Sequence, residues 1–156
     1  MIHKYALSDY QLAITLPISI GGLDKIITIG GTGDNGEGSF LGEISVDRKD
    51  NTYETSADVT GSWVHNMSRA INGTIRVKIN QISDDVVTLI NICNYYYDNF
   101  ADGVTITISK ANNTIVTGND CYITKMPQLS YGDSAGDLDW EFTCGQIMYN
   151  VVGANI

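Results

Sequence analysis

Apolar and polar residues alternate at every second position along most of the chain, which is the pattern of half-buried β-strands. The predicted strands are Gln11–Ile20, Lys25–Ile29, Phe40–Val46, Ser62–Arg69, Thr74–Ile82, Val104–Lys110, a short strand near Ile115, Cys121–Met126 and Leu138–Cys144. Pro17 has no N–H to donate to a neighbouring strand, so the first strand is predicted to lie at an edge or to bend. Asn72-Gly73 predicts a hairpin turn between the fourth and fifth strands.

One stretch, Ser83–Phe100, shows the spacing of a helix instead. Its apolar residues recur every three or four positions and so gather on one face. They are Val86, Leu89, Ile90, Cys93, Tyr96, Tyr97 and Phe100. Ser83 is predicted to cap the first turn, and Asp84 and Asp85 complement the positive end of the helix. A single helix among many strands is expected to cover a sheet.

The last strand and the helix supply the candidate core. Trp140 shares one face of its strand with Leu138 and Phe142, whereas Asp139 and Glu141 share the other face. The residues predicted to form the core are Trp140, Phe142, Leu138, Leu89, Ile90 and Cys93. A chain of 156 residues fits one domain, residues 1–156, which is large enough to support a core of its own.

The span Asp47–Gly61 is polar throughout and has too few apolar residues to dock on the core. We expect it to form a long projecting loop or hairpin. Loops longer than about 12–15 residues are uncommon inside compact domains and are usually functional or disordered. The span is therefore a candidate functional segment.

The charge and the cysteines exclude several classes of protein. The formal net charge is −9, from 18 acidic and 9 basic residues, which argues against tight nucleic-acid binding because such binding needs many cationic contacts with phosphates. Three widely spaced cysteines predict reduced thiols and neither a disulfide framework nor a zinc site. The sequence has no apolar run of signal-peptide or membrane-spanning type, so we expect the chain to stay in the cytoplasm.

The sequence motifs that resemble cofactor or metal sites lack the neighbouring elements or the residue spacing that such sites require. Gly31–Gly36 matches G-x-G-x-x-G, but a strand follows it where a dinucleotide site requires a helix. Asp133, Asp137 and Asp139 lack the regular alternation and the final glutamate of an EF-hand calcium loop. The two histidines have no metal-ligand spacing with Cys or Asp. We therefore predict a protein that is not an enzyme and has no catalytic residues, cofactor or metal.

Several segments follow one another in an order that covers about residues 20–148. They are Glu37–Phe40, Asp47–Gly61, the strand Ile75–Asn80 with the helix after it, Tyr122–Pro127, and Tyr131 to Phe142. This succession resembles the tail tube proteins of contractile-tailed phages and of phage-tail-like (R-type) bacteriocins. The segment Gly30–Gly38 has no assigned role in this resemblance.

The resemblance implies a mainly β fold, a β-sandwich or small barrel with one flanking helix. Six copies would form a ring, and the rings would stack into a hollow tube inside a contractile sheath. The polar span would be an arm that reaches a neighbouring ring, the strands would line the lumen, and the helix would lie on the outer side. The implied contact residues are Asp47, Arg48, Lys49, Asp50, Asn51, Tyr53, Glu54 and Asp58.

The resemblance also implies the partners and the location. The partners would be further copies of the chain and the tail sheath, baseplate and tape-measure proteins. DNA would pass through the tube without tight binding, or a headless particle would perforate an envelope. Assembly would take place in the cytoplasm of the bacterial host, and the product would be part of a virion tail or tail-like particle.

Two alternatives from other classes remain open. An acidic β-sandwich module could bind a ligand such as a carbohydrate through Trp63, Trp140 and surface tyrosines. A small hydrolase could use an acidic pair from the region Asp133 to Glu141, facing each other across a cleft. The orientation of Trp140 tests the ligand-binding alternative, because a tryptophan in the core cannot serve as an exposed platform for a sugar.

Overall fold

A computed structural model of the chain describes residues 2, 4–17, 25–30, 41–110 and 113–149. In chain order its elements are a short 3-10 helix Leu7–Asp9, β1 Tyr10–Thr15, β2 Ile26–Gly30, β3 Leu41–Arg48, β4 Tyr53–Ala57, β5 Trp63–Met67, β6 Gly73–Asn80, α1 Asp85–Asp98, β7 Val104–Lys110, β8 Asn113–Lys125 and β9 Asp137–Tyr149. The prediction of a mainly β fold with one flanking α-helix is confirmed for this part of the chain. The segment Gly31–Gly36 and the end of the first predicted strand lie outside it.

Seven of the strands form one sheet in the order β2-β1-β7-β8-β9-β6-β3. All neighbouring strands in it are antiparallel. The sheet is open within the described ranges, with β2 and β3 at its edges, and does not close into a barrel. Strands β4 and β5 form a separate two-stranded sheet, inserted in the chain between β3 and β6.

One face of the long sheet is apolar from edge to edge because the register places apolar residues opposite one another. Leu12 of β1 lies opposite Ile29 of β2 and Ile108 of β7. Phe142 of β9 lies opposite Ile75 of β6. All five are buried in one core that also includes residues of α1. A flat sheet of seven strands would be roughly 29 Å wide at about 4.8 Å per strand, too wide for one helix to cover, so the sheet must curl around its apolar face.

Residues Leu138, Trp140 and Phe142 are buried along β9, at the centre of this core. The helix contributes to the same core through a stripe at a spacing of three, formed by Val86, Leu89 and Ile92. Ile90 and Cys93 also belong to the predicted set, but they are only partly buried and pack against the margin of the core. The three-and-four spacing of apolar residues is thus compatible with two adjacent stripes on the helix, the buried one and the partly buried one of Ile90 and Cys93. Only the position of the sheet decides which of them is buried.

The helix is shorter than the predicted range Ser83–Phe100. Its N-cap is Asp84, and Ser83 lies one residue earlier, where its Oγ accepts a hydrogen bond from the N–H of Asp85 at 3.3 Å. Tyr97 and Phe100 were expected on the buried face, but they are 91% and 101% exposed. That expectation is wrong, because the buried stripe of the helix is Val86, Leu89 and Ile92, and these two rings lie off it.

The predicted Asn72-Gly73 hairpin is also wrong, and of the two alternatives for the first strand, an edge or a bend, the edge is wrong. The Asn72-Gly73 hairpin does not form, because β5 pairs with β4 and β6 lies between β3 and β9. Strand β1 lies between β2 and β7, so it is not an edge strand. Pro17 comes after its last residue, Thr15, and therefore removes no hydrogen bond from the sheet. Strand β8 is continuous and covers both of the short strands predicted in its range.

Replacement of Gly118 by alanine is expected to lower the free energy of unfolding by about 1–3 kcal/mol, because the core has no room for a methyl group there. A Cβ at this position would lie 3.0 Å from Cδ1 of Ile75 and 3.1 Å from the sulfurs of Cys121 and Cys144. Urea denaturation measures the effect. The matched control is Gly132→Ala, where nothing lies within 4 Å and little change is expected. Equal stability of the two variants would contradict the prediction.

Candidate assembly surfaces

The hairpin β4–β5, which we call the arm (residues 53–67), stands apart from the long sheet. All five residues of each of its strands are exposed. The strands pair in register from Tyr53 opposite Met67, and below this pair the N–H of Ser68 donates to the carbonyl of Thr52 at 2.7 Å. An isolated two-stranded hairpin is at best marginally stable in water. The arm is therefore a candidate for contact with another surface.

The two faces of the arm differ in chemistry. One face, which we call the aromatic face, carries Tyr53, Trp63 and Met67, which are 59%, 67% and 52% exposed. On the same face, Oγ1 of Thr55 and Nδ1 of His65 share a hydrogen bond of 2.7 Å across the strands. The opposite face carries Glu54, Ser56, Val64 and Asn66. The arm is thus amphipathic, although both faces meet solvent.

The tip of the arm is a tight turn organised by Asp58. Its Oδ1 accepts hydrogen bonds from the Thr60 N–H at 2.9 Å, the Thr60 hydroxyl at 2.7 Å and the Ser62 N–H at 3.0 Å. Gly61 has a φ of 87°, the left-handed conformation that follows the turn in a three-residue hairpin loop. The tip therefore holds the two strands in a defined geometry.

The base of the arm is anchored to β9 by Arg48, the last residue of β3. Its Nε and Nη2 donate to the carbonyl of Ile147 at 3.1 and 2.7 Å, and its guanidinium lies 4.7 Å from the centre of the Tyr149 ring. The Lys49 N–H donates to the carbonyl of Asn72 at 3.0 Å. Because the planar guanidinium both donates and stacks, these contacts fix the point where the arm leaves the sheet.

A second surface, which we call the helix groove, lies between the C-terminal half of α1 and the end of β8. It encloses about 360 Å³, and its walls include Ile92, Tyr96, Tyr97, Tyr122, Lys125 and Met126. The Tyr96 hydroxyl donates to the carbonyl of Asp102 at 2.6 Å, and the Tyr122 hydroxyl donates to that of Ala101 at 2.7 Å. The two rings meet edge to face at 5.4 Å. Burial raises the pKa of Tyr96 to about 12, so this hydroxyl remains a donor at neutral pH.

The polar face of the long sheet carries charges of both signs. Arg76 lies 3.7 Å from Glu141, and Lys78 lies 3.7 Å from Glu43. With Asp139 they line an open depression of about 460 Å³. The four paired side chains are well exposed, so the ion pairs contribute little to stability. Their effect is to place a carboxylate beside Arg76 and another beside Lys78.

Two kinds of feature are absent from the described residues, a metal-binding cluster and a membrane-spanning helix. No group of three or more His, Cys, Asp or Glu side chains in these ranges could hold a metal ion. Within the same ranges, no helix has the length and hydrophobicity needed to cross a bilayer. The surfaces that stand out in this part of the chain are therefore the arm and the helix groove.

Residues 23–152 match the sequence model of the family described as bacteriophage PhiTE tail tube protein. The chain belongs to this family of phage tail tube proteins. The match covers most of the 156 residues, so the role of the chain is that of a tail tube subunit, a structural protein. A search of curated proteins found no match to the sequence.

Solved structures share the fold of this tail tube protein. A chain of an extracellular contractile injection system, in its PVC sheath–tube complex in the extended state, is 12% identical with a TM-score of 0.56, over 96% of this chain and 93% of that one. A chain of the six-fold symmetrised baseplate of the anti-feeding prophage is 10% identical with a TM-score of 0.58, over 99% and 100%. A chain of the PVC sheath/tube terminator is 10% identical with a TM-score of 0.55, over 96% and 99%.

The predicted contact residues of the tube protein fall into three places. Asp47 and Arg48 lie at the end of β3 in the long sheet, so they belong to the base of the arm. Residues 49–51 connect β3 to the arm. The remaining three lie on the arm itself: Tyr53, Glu54 and Asp58. The arm begins and ends later than the predicted span Asp47–Gly61, because β5 is its second strand.

The sequence does not predict the aromatic face of the arm, because the expected Asn72-Gly73 hairpin pairs the strand Ser62–Arg69 with Thr74–Ile82 and not with β4. A local signal was available. The sequence Asp58-Val-Thr-Gly61 has an Asx-turn residue first and glycine last, with alternating residues on both sides, as in a hairpin with a short loop. Trp63 follows this turn directly and lies on the arm, whereas Trp140 is fully buried. A buried Trp140 cannot serve as the sugar platform of the ligand-binding alternative.

The arm tip is expected to respond to pH through Asp58. Hydrogen bonds from the side chain and the backbone of Thr60 hold the pKa of this carboxyl below its ordinary value of 3.8. Because the pKa of Asp58 is lower in the folded than in the unfolded protein, the carboxylate stabilises the tip at pH values above its unfolded-state pKa. This stabilisation is lost as the pH falls through the folded-state pKa. We expect the amide proton shifts of Thr60 and Ser62 to titrate in NMR spectra with a midpoint below 3.8.

The matched control for this titration is Asp58→Asn, which keeps the acceptor oxygen without the ionisation. In this variant the Thr60 and Ser62 amides should show no such midpoint. A midpoint at or above 3.8 in the unmodified protein would contradict the prediction.

Proposed function

We propose that this tail tube protein forms hexameric rings that stack into the inner tube of a contractile phage tail or a phage-like particle. The observation that carries the proposal is the arm, a fully exposed and amphipathic hairpin on a chain of the tail tube family. Structures of the same fold occur in a sheath–tube complex and in a six-fold symmetrised baseplate of contractile systems. The role is structural, and the chain catalyses no reaction.

Ring and tube formation follow from the symmetry of contacts between identical chains. A heterologous contact that closes after six copies makes a ring, and a second one along the axis does not close and makes a filament. In this proposal the arm and its base supply the axial contact through residues 47–58, and the edge strands β2 and β3 pair between neighbouring subunits. Such pairing would cover strand edges that otherwise invite aggregation.

The acidic composition suits a conduit. With a net charge of −9 per chain, a lumen lined by the polar sheet face would have no excess of free cations to hold phosphates. DNA would then pass without tight binding, and in a headless particle the same tube would perforate an envelope. The tail sheath, baseplate and tape-measure proteins are the proposed partners, with assembly in the cytoplasm of the bacterial host.

Negative-stain electron microscopy of the purified protein across a concentration series, with light scattering for mass, tests the proposal. We expect six-fold rings and hollow tubes whose abundance rises with concentration. Rings of another symmetry would overturn the hexamer. Monomers throughout the series, including samples seeded with sheared tubes from the native particle, would overturn self-assembly.

A further inference from the structure

Two apolar surfaces of the chain are uncovered in the single subunit. The aromatic face of the arm presents Trp63 and Tyr53 to solvent, and the helix groove is bordered by Tyr97. Side chains of this size dominate the energetics of interfaces, and a contiguous apolar patch on a soluble protein usually marks a contact site. The two surfaces need partners, and a tube contains many copies of both.

We propose that the aromatic face of the arm docks into the helix groove of the next copy of the chain, with Trp63 as the anchor. This inference rests on the proposed tube function and adds the receptor surface and the residue that fills it. The contact joins two different surfaces of the same chain, so it is heterologous and repeats along the tube axis without closing.

The strand register places the exit of the arm and the helix groove at different levels of the sheet. The arm leaves the sheet after Arg48, at the level of Gly73 and its partner Cys144. From that level β8 runs the other way, from Cys121 opposite Cys144 to Lys125 opposite Glu141, and the groove lies at its end. Because the arm leaves this level in one direction and the groove lies in the other, head-to-tail stacking brings the arm of one subunit towards the groove of the next.

The chemistry of the two surfaces is complementary. The groove has the size of a small-ligand pocket, about 360 Å³, which suits one aromatic anchor, and its tyrosine rings offer edges and faces to an indole. Lys125 is the one charged residue among those that line the groove. The arm carries the carboxylate of Asp58 at its tip and has no Lys or Arg between residues 53 and 67. The charges at the margin therefore attract each other.

The first test compares two arm variants in the full-length protein. Trp63→Ala removes the anchor and should raise the concentration needed for tube formation by about 30-fold, as expected for a central hot-spot residue. Val64→Ala is the matched control, because Val64 is 58% exposed on the opposite face of the arm. It should assemble as the unmodified protein does. Equal assembly of the two variants would overturn the proposal.

The second test locates the receptor without removing the anchor. Subunits with Ala57→Cys, next to Trp63 on the aromatic face, are co-assembled with subunits carrying Met126→Cys at the groove. Both sets also carry Cys93→Ala, because this native thiol lines the groove. Mild oxidation of the tubes should give intermolecular dimers. Ser56→Cys, on the opposite face of the arm, should give few in the same mixture.

The outcomes separate the inference from the function on which it rests. Tubes that form without Ala57–Met126 cross-links would overturn the docking site and leave the tube function in place. Failure of the unmodified protein to form tubes would overturn the tube function itself. Circular dichroism of each variant distinguishes an assembly defect from a folding defect, and a folded Trp63→Ala subunit that assembles normally would overturn the anchor.

Discussion

Replacement of Trp140 by alanine is expected to lower the free energy of unfolding by about 3–5 kcal/mol, among the largest losses that a single side chain of this protein can produce. Trp140 is fully buried near the start of β9, opposite Val77 of β6. Its removal takes apolar surface out of the core and leaves a cavity that the paired strands cannot collapse to fill. Chemical denaturation followed by far-UV circular dichroism measures the loss.

Two control variants make this prediction specific. Trp63→Ala should change stability by less than about 0.5 kcal/mol, because Trp63 is exposed on the arm. Trp140→Phe should cost clearly less than Trp140→Ala. Phenylalanine keeps most of the volume, and it lacks the indole N–H, which has no hydrogen-bond partner among the described residues. A loss below about 1 kcal/mol in Trp140→Ala would contradict the buried position.

Excision of the arm is expected to abolish tube formation while leaving a folded subunit. Residues 53–67 can be replaced by two glycines, because the carbonyl of Thr52 and the N–H of Ser68 already lie 2.7 Å apart. The excised strands contribute no buried residue, so the melting temperature should stay close to that of the unmodified protein. Electron microscopy and light scattering report assembly, and thermal denaturation reports the fold.

The control for the excision keeps the arm and changes its polar face only. Ser56→Ala should form tubes at the same concentration as the unmodified protein, because Ser56 lies opposite Val64, away from the aromatic face. Normal tubes from the excised protein would remove the arm from the assembly mechanism. If the subunit instead unfolds after excision, the arm supports the fold, contrary to what its complete exposure indicates.

The strands and the helix could be predicted because their periods are local properties of the chain. Strand β7 has the predicted bounds, Val104–Lys110. Strand β9 contains the predicted core face of Leu138, Trp140 and Phe142, because every second residue of a strand faces the same side. The helix ends could not be predicted as well, since the exposure of Tyr97 depends on which stripe of α1 packs on the core and not on the local spacing of apolar residues.

The assembly surfaces could be predicted only in part. The polar composition after Asp47 identified the first half of a projecting segment, and the resemblance to tail tube proteins implies a contact role for it, which stays a prediction. The second half, Trp63–Met67, alternates like the strands of the long sheet, so it could not be assigned to the arm by pattern alone. The helix groove had no local signal, because its walls come from α1 and β8 and meet only in the folded chain.

The sequence by itself therefore determined a mainly β chain with one helix, an acidic surface, a buried Trp140 and the family of the protein. Only the tertiary structure decided that β5 pairs with β4 and not with β6, and this pairing creates the arm and its aromatic face. The physical reason is that alternation specifies which side of a strand is apolar, whereas its partner is chosen by non-local contacts. Non-local contacts likewise bring α1 and β8 together, and the helix groove lies between them.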